Sequence, residues 1–128
     1  MKTKMLTDVA VIVGLLIVSA PLFAHHGTAS YDTSKTITVK GTVTDFQFMN
    51  PHVLIFLDVK DDKGNLQKWQ GELTSPNHLA RVGWTRSSLK PGDQITLSGF
   101  PAKSGAGSMW ICKVVLADGK ALDTGLGN

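Results

Sequence analysis

The sequence predicts an all-β domain with one short helix, folded as a small five-stranded antiparallel barrel. Short runs of alternating apolar residues recur along the chain, glycine-containing turns separate them, and a proline-marked helix start stands between the third and fourth runs. A hydrophobic content of 42% against 18% charged residues indicates a globular chain rather than a disordered one. Its 128 residues are enough for a single domain.

The first three strands are predicted from their period-two alternation. The first strand includes Thr36–Val43. The alternation of apolar and polar residues changes phase before Phe46, which predicts that this strand is strongly bent or carries a bulge. His52–Val59 forms the second strand, and the turn Asp61–Asn65 leads into the third strand, Leu66–Leu73.

A short helix is predicted near residues 75–82. Ser75 is a suitable N-cap, and Pro76 suits the first helical position because the missing N–H has no intrahelical partner there. Gly83 is the residue expected to end this helix.

Two further strands, 94–100 and 109–116, complete the predicted barrel. Three strands, a helix and two strands follow the order of the oligonucleotide/oligosaccharide-binding (OB) barrel, so we expect an OB-like barrel over residues 35–117. An extended arm, residues 25–34, precedes it, and residues 118–128 form a C-terminal tail.

Residues 1–24 have the order of a secretory signal peptide. Two lysines precede the apolar run Val9–Val18, and Ala24 is suited to the last position before cleavage. We therefore expect a periplasmic or secreted protein that begins at His25 and has no membrane attachment after cleavage. An uncleaved membrane anchor is the alternative, although the charge-free stretch Val9–Ala24 is short for a helix of about 20 residues that spans a bilayer.

Charge and motif content argue against several functional classes. The net charge is +3 and the basic residues are scattered, so the sequence does not predict a nucleic-acid partner. There is no Gly-x-Ser-x-Gly, CxxC or HExxH motif, and the single cysteine, Cys112, is predicted to be a small buried residue. Glu72 is assigned to an exposed strand face without an evident acidic partner. The chain is therefore not predicted to be an enzyme.

Short motifs spread over nearly all of the predicted mature chain occur together in one bacterial family. They are Ala24–Gly27, Lys40–Val43, Asn50–His52, Leu57–Val59, Ser75–Asn77, Gly83–Asp93 and Gly99–Phe100. On these motifs the chain resembles domain-of-unknown-function family 6152, small exported proteins of Gram-negative bacteria with no established activity. It differs from the family pattern at Gly27, where serine is common, and at His78, where a small apolar residue is common.

The predicted mature N-terminus is a candidate copper site. Cleavage after Ala24 would leave the α-amine and the imidazole of His25 free to chelate one metal ion, and nitrogen ligands favour Cu(II) among divalent first-row ions. His26 and His52 are candidate additional ligands. This pattern resembles the amino-terminal histidine of periplasmic copper carriers and of copper-dependent polysaccharide oxidases. The structural alternatives are a solvated chain start and a hydrogen-bonded His52.

The sequence is also compatible with two other functions. Trp84 and Arg86 follow the predicted helix in a loop, where core packing is less forced, so they are candidate ligand-binding residues. They would make the barrel a carbohydrate-binding or protein-binding module, with a periplasmic protein as its partner. An oxidase that uses the two N-terminal histidines is the third hypothesis.

Overall fold

The computed structural model describes residues 28–126, and these form a closed five-stranded barrel with one short helix. The barrel strands are β1 Ile37–Gln47, β2 Leu54–Lys60, β3 Leu66–Glu72, β4 Gln94–Pro101 and β5 Ser108–Leu116, and the helix is α1 Pro76–Ala80. A sixth, two-residue strand, β6 Ala121–Leu122, pairs only with β5. A 3₁₀ turn, Thr28–Ser30, precedes β1. The predicted signal peptide, the first three arm residues and the last two residues lie outside the described range.

The barrel closes in the order β1-β2-β3-β5-β4 and back to β1. The β1–β2, β2–β3, β1–β4 and β4–β5 pairs are antiparallel, whereas the closing β3–β5 pair is parallel. The prediction of an OB-like barrel with one short helix is confirmed, but the barrel is mixed rather than purely antiparallel. One parallel pair is required because the other four pairs of this closed ring of five strands are antiparallel, which leaves β3 and β5 running in the same direction.

The predicted irregularity of the first strand is a β-bulge. The β1–β2 register shifts between Val43 and Asp45, which leaves Thr44 as the extra residue. The bend lets β1 pair with β4 through its first half and with β2 through its second half. A single strand can therefore belong to both sides of the barrel.

The helix forms where its sequence signals predict, but it is shorter. Ser75 is the N-cap, and its side chain accepts a hydrogen bond from the backbone N–H of His78 at 3.3 Å. The helix ends at Ala80, and a turn through Arg81 leads to Gly83, whose φ of +98° reverses the chain.

Alternating residues of the strands meet inside the barrel and form one core. Ile55 and Leu57 of β2 are at most 1% exposed, as their predicted alternation requires. Leu79 of α1 covers one end of the barrel and is fully buried. The core consists of Val43, Val53, Ile55, Leu57, Leu73, Leu79, Trp84, Leu89, Ile95, Leu97, Met109, Ile111 and Val114.

The described part of the predicted C-terminal tail, residues 118–126, packs on the barrel. β6 pairs with β5 from Val114↔Leu122 to Val115↔Ala121. Thr124 is buried, and its hydroxyl donates to the carbonyl of Cys112 at 2.9 Å. Cys112 itself is half-buried, not fully buried as predicted, because the β4–β5 register shift makes it the extra residue of a second bulge.

Candidate functional site

Four side chains from separate parts of the chain meet at one end of the β2–β3–β5 surface. Tyr31 lies before β1, His52 before β2, Glu72 at the end of β3 and Trp110 within β5. The pairing of Glu72 with both Leu54 and Trp110 brings β2 and β5 to opposite sides of the glutamate. We call these four residues the His52 cluster.

Glu72 is the centre of the His52 cluster because its carboxylate binds two partners. The phenol of Tyr31 donates to Oε2 at 2.5 Å, and Nδ1 of His52 bonds to Oε1. The side chains of His52 and Glu72 retain 23% and 19% of their exposure, so solvent reaches both. A carboxylate with each oxygen occupied by a different donor has a fixed orientation.

Trp110 restrains the other two rings of the cluster. The ring of His52 stands edge-on to the indole, with centroids 5.7 Å apart and an interplanar angle of 83°. The ring of Tyr31 is tilted against the same indole at 6.2 Å. Trp110 is only 8% exposed, so its indole is held in place by the surrounding protein and both rings pack against it.

Backbone contacts hold the described part of the arm against the end of β4. The N–H of Asp32 donates to the carbonyl of Pro101 at 2.8 Å, and the N–H of Lys103 donates to the carbonyl of Ser30 at 3.0 Å. Tyr31 forms an isolated bridge with Ala102. These contacts leave Tyr31 7% exposed and fix it beside Glu72.

The electrostatics of Tyr31 follow from this position. Burial raises the pKa of the phenol, and the hydrogen bond to the Glu72 carboxylate and the charge of that carboxylate raise it further. Elsewhere, burial raises the pKa of the Cys112 thiol, which opposes formation of the thiolate that metals bind. Residues 28–126 contain no group of three or more histidine, cysteine, aspartate or glutamate side chains arranged to hold a metal ion. Nor does this part of the chain include a helix long and apolar enough to cross a membrane.

A sequence profile described as a family of unknown function, DUF6152, matches residues 12–109. The chain belongs to the DUF6152 family. This confirms the resemblance found in the sequence. The matched range includes Tyr31, His52 and Glu72 and ends directly before Trp110. No curated protein matches the DUF6152 chain.

The structure places only one of the predicted metal-ligating residues of this DUF6152 protein. His52 lies in the cluster, whereas His25 and His26 lie outside the described residues. Thr28 is the first described residue, and in the sequence only Gly27 lies between it and His26.

The second predicted site does not form an exposed surface. Trp84 is 3% exposed and belongs to the core, where its ring lies 6.0 Å from that of Phe46. Its indole N–H donates to the carbonyl of Asp123 at 2.6 Å. The expectation that core packing is less forced at Trp84 is therefore wrong, because Gly83 turns the chain back over the barrel end. Arg86 is exposed.

Glu72 is the residue at the centre of the His52 cluster that was not predicted from the sequence. It is half-buried and bonded to two side chains, so its assignment to an exposed face is wrong. The register of the β2–β3 hairpin could have predicted this position. Pairing outward from Lys60↔Leu66 puts Glu72 opposite Leu54, and strand alternation puts His52 on the same face as Leu54.

The phenol of Tyr31 should stay protonated in the folded protein at pH values where an exposed tyrosine ionises. Folding raises its pKa, so the folded state holds the proton more tightly than the unfolded state, whose phenol ionises near a pH of about 10. The free energy of unfolding should therefore fall as the pH rises above about 10. Tyr31 is the only tyrosine, so phenolate absorbance in folded and denatured protein measures the effect directly.

Tyr31→Phe is the matched control for this titration. It should abolish the phenolate signal and remove the corresponding part of the alkaline loss of stability. Phenolate formation near a pH of about 10 in the folded wild type would contradict the buried, carboxylate-bonded position of Tyr31.

Proposed function

We propose that this DUF6152 protein is a periplasmic or secreted binding protein that binds copper through its mature N-terminal histidine. The α-amine and imidazole of His25 form the primary chelate, and His26 and His52 supply further nitrogen ligands. The lysines and apolar run of residues 1–24 support export, and cleavage after Ala24 supplies the free amine.

The anchoring of Tyr31 beside His52 is the observation that carries this proposal. Tyr31 and His52 bind the same carboxylate, so the chain at position 31 is fixed next to the candidate third ligand. His25 lies six positions before Tyr31, a span of at most about 22 Å when fully extended. The N-terminal chelate is therefore within reach of His52.

The environment of His52 suits a metal ligand. The hydrogen bonds among residues 28–126 engage its Nδ1 atom, and 23% of the side chain is exposed. Histidines that bind metals commonly donate their other ring N–H to a carboxylate. Glu72 provides such a carboxylate.

The carbohydrate-binding or protein-binding alternative has less support. It relies on Trp84 and Arg86, and the burial of Trp84 leaves only Arg86 exposed. The aromatic rings of Phe46 and Phe48, 6.0 Å apart, also pack against the core. No observation favours the oxidase over a carrier.

A chelator-competition titration with Cu(II) tests the proposal. Intact-mass spectrometry of the exported protein first tests whether it begins at His25. One added residue before His25 should weaken binding by about tenfold or more, roughly 1.4 kcal/mol, because the extension separates the α-amine from the imidazole. His52→Ala should weaken binding further. Binding should also weaken below a pH of about 6, because protons compete for the imidazole and amine nitrogens.

His78→Ala is the matched control. His78 is exposed, and its Nε2 atom lies 2.9 Å from the carbonyl oxygen of Gly125, so its loss should leave copper affinity unchanged. Equal affinities of the mature and extended proteins would exclude the N-terminal chelate.

A further inference from the structure

The carboxylate of Glu72 bonds to a candidate ligand with one oxygen and to the arm with the other. We infer that Glu72 is the positioning residue of the copper site: it orients His52 so that Nε2 is free to bind the metal, and through Tyr31 it holds the described part of the arm beside His52. This inference rests on the proposed function, because it presupposes that His52 is a ligand.

The first part follows from the chemistry of the His52–Glu72 contact. An ionised carboxylate can only accept a hydrogen bond, so a neutral His52 that bonds to Glu72 through Nδ1 must carry its single N–H on Nδ1. The lone pair then lies on Nε2, on the opposite side of the ring from Glu72. The carboxylate also makes the ring a stronger donor toward a metal.

Packing limits the other orientations of the imidazole. The edge-on contact with Trp110 confines the ring plane, and the hydrogen bond to Glu72 fixes which nitrogen points inward. Rotating the ring by half a turn would break the bond between Nδ1 and the carboxylate. The orientation that leaves Nε2 free for a metal is therefore already fixed in the metal-free protein.

The second part follows from Tyr31. Its hydroxyl holds Oε2 of Glu72 at 2.5 Å, and its backbone bridges to Ala102. The arm is therefore tied to the same carboxylate that orients His52. Loss of the Tyr31 hydroxyl would leave the backbone bridge in place and remove only the link between the arm and Glu72.

Three variants of the mature protein separate these effects in Cu(II) competition titrations. Glu72→Gln keeps the side-chain volume, removes the charge and should weaken binding by about 10–100-fold. Glu72→Ala removes every acceptor and should weaken binding at least as much. Tyr31→Phe should weaken binding less, since His52 keeps its carboxylate.

Asp58→Asn is the matched control for charge. Asp58 is also a strand carboxylate, and it forms an ion pair with Lys68 at 2.6 Å. It lies four residues along β2 from Leu54, about 13 Å away. Its loss changes the net charge of the protein as Glu72→Gln does but leaves the His52 cluster intact. Copper affinity should not change.

Two spectroscopic measurements distinguish positioning from general stability. Pulsed electron paramagnetic resonance of the Cu(II) protein should detect one fewer bound imidazole in Glu72→Ala, as in His52→Ala, because the alanine leaves Nδ1 of His52 without an acceptor at position 72. Nitrogen-15 NMR of the metal-free protein should show the Nδ1–H form of His52 in the wild type and a mixture of forms in Glu72→Ala. Circular dichroism verifies that each variant is folded.

The outcomes separate the inference from the proposed function. If His52→Ala leaves copper affinity unchanged, His52 is not a ligand and that part of the proposed function fails. If His52→Ala weakens binding but both Glu72 variants bind and count imidazoles like the wild type, the proposed function stands and the positioning role is overturned. A wild-type His52 with its proton on Nε2 would also overturn it.

Discussion

Replacing Gly99 with alanine should destabilise the barrel by about 3 kcal/mol, the upper part of the range for overpacked sites. Gly99 pairs with Ile111 directly beside the β4–β5 bulge. A Cβ there would overlap the carbonyl oxygen of Trp110 and approach the Cα of Ile111 to 3.0 Å. Because these are backbone atoms, no rotamer change relieves the overlap, and β4 and β5 would have to move apart.

Urea denaturation of Gly99→Ala measures this loss, and Gly105→Ala is its matched control. Gly105 has a φ of +77° and nothing within 4 Å of an added Cβ. Its replacement should cost only the strain of a left-handed backbone, about 1–2 kcal/mol. A loss at Gly99 no larger than that at Gly105 would contradict the close approach of the two strands.

The same close approach links the fold to the site. Gly99 allows the backbone of β4 to lie against residue 110, and Trp110 is the wall of the His52 cluster. A small loss of β4–β5 packing should therefore disturb the rings of Tyr31 and His52 before it unfolds the barrel. If the proposed copper site exists, its affinity should therefore be sensitive to substitutions in a strand pair that carries none of the proposed ligands.

Local sequence signals were sufficient for most of the fold. The bulge in β1 was visible as a change of phase before Phe46, and the start of α1 was visible as Ser75-Pro76. The parallel β3–β5 contact and the two-residue β6 were not predicted. Both depend on where the barrel closes in space, and short strands with few residues carry little periodicity.

The site was harder to predict than the fold because its polar contacts cross the chain. His52 was identified by its residue type, but Glu72 and Tyr31 lie 20 and 41 residues apart from their partners in sequence. Counting the register outward from the Asp61–Asn65 turn would have placed Glu72 near His52. Nothing local in the sequence places Tyr31 there, because the bridge between Tyr31 and Ala102 depends on the closed barrel.

Half-burial of Glu72 also explains why three polar groups occur together in a small barrel. A carboxylate that loses solvent needs donors, and Tyr31 and His52 supply one for each oxygen. Removing either partner therefore affects stability as well as any ligand. For this reason the comparison of Glu72→Gln with Asp58→Asn is more informative than the loss of a single partner.

Trp84→Ala should destabilise the protein by about 3–5 kcal/mol, the usual loss for a large buried aromatic residue. The indole fills the barrel end beside Phe46, and its N–H holds the carbonyl of Asp123, which fixes the segment after β6. Thermal and urea unfolding monitored by circular dichroism measure the loss. Trp84→Phe should lose less stability than Trp84→Ala, because phenylalanine keeps an aromatic ring in the core and lacks only the hydrogen bond to Asp123 and part of the ring volume.

Arg86→Ala provides the comparison that separates a core residue from a binding residue. Arg86 lies two residues later and is exposed, so its loss should change the free energy of unfolding by no more than about 0.5 kcal/mol. A stability loss at Trp84 as small as that at Arg86 would mean that the indole contributes little to the core. It would then be available to a sugar or a partner protein, and the aromatic-loop hypothesis would gain the support it lacks. A large loss confined to Trp84 would leave copper binding at the N-terminus as the function to pursue.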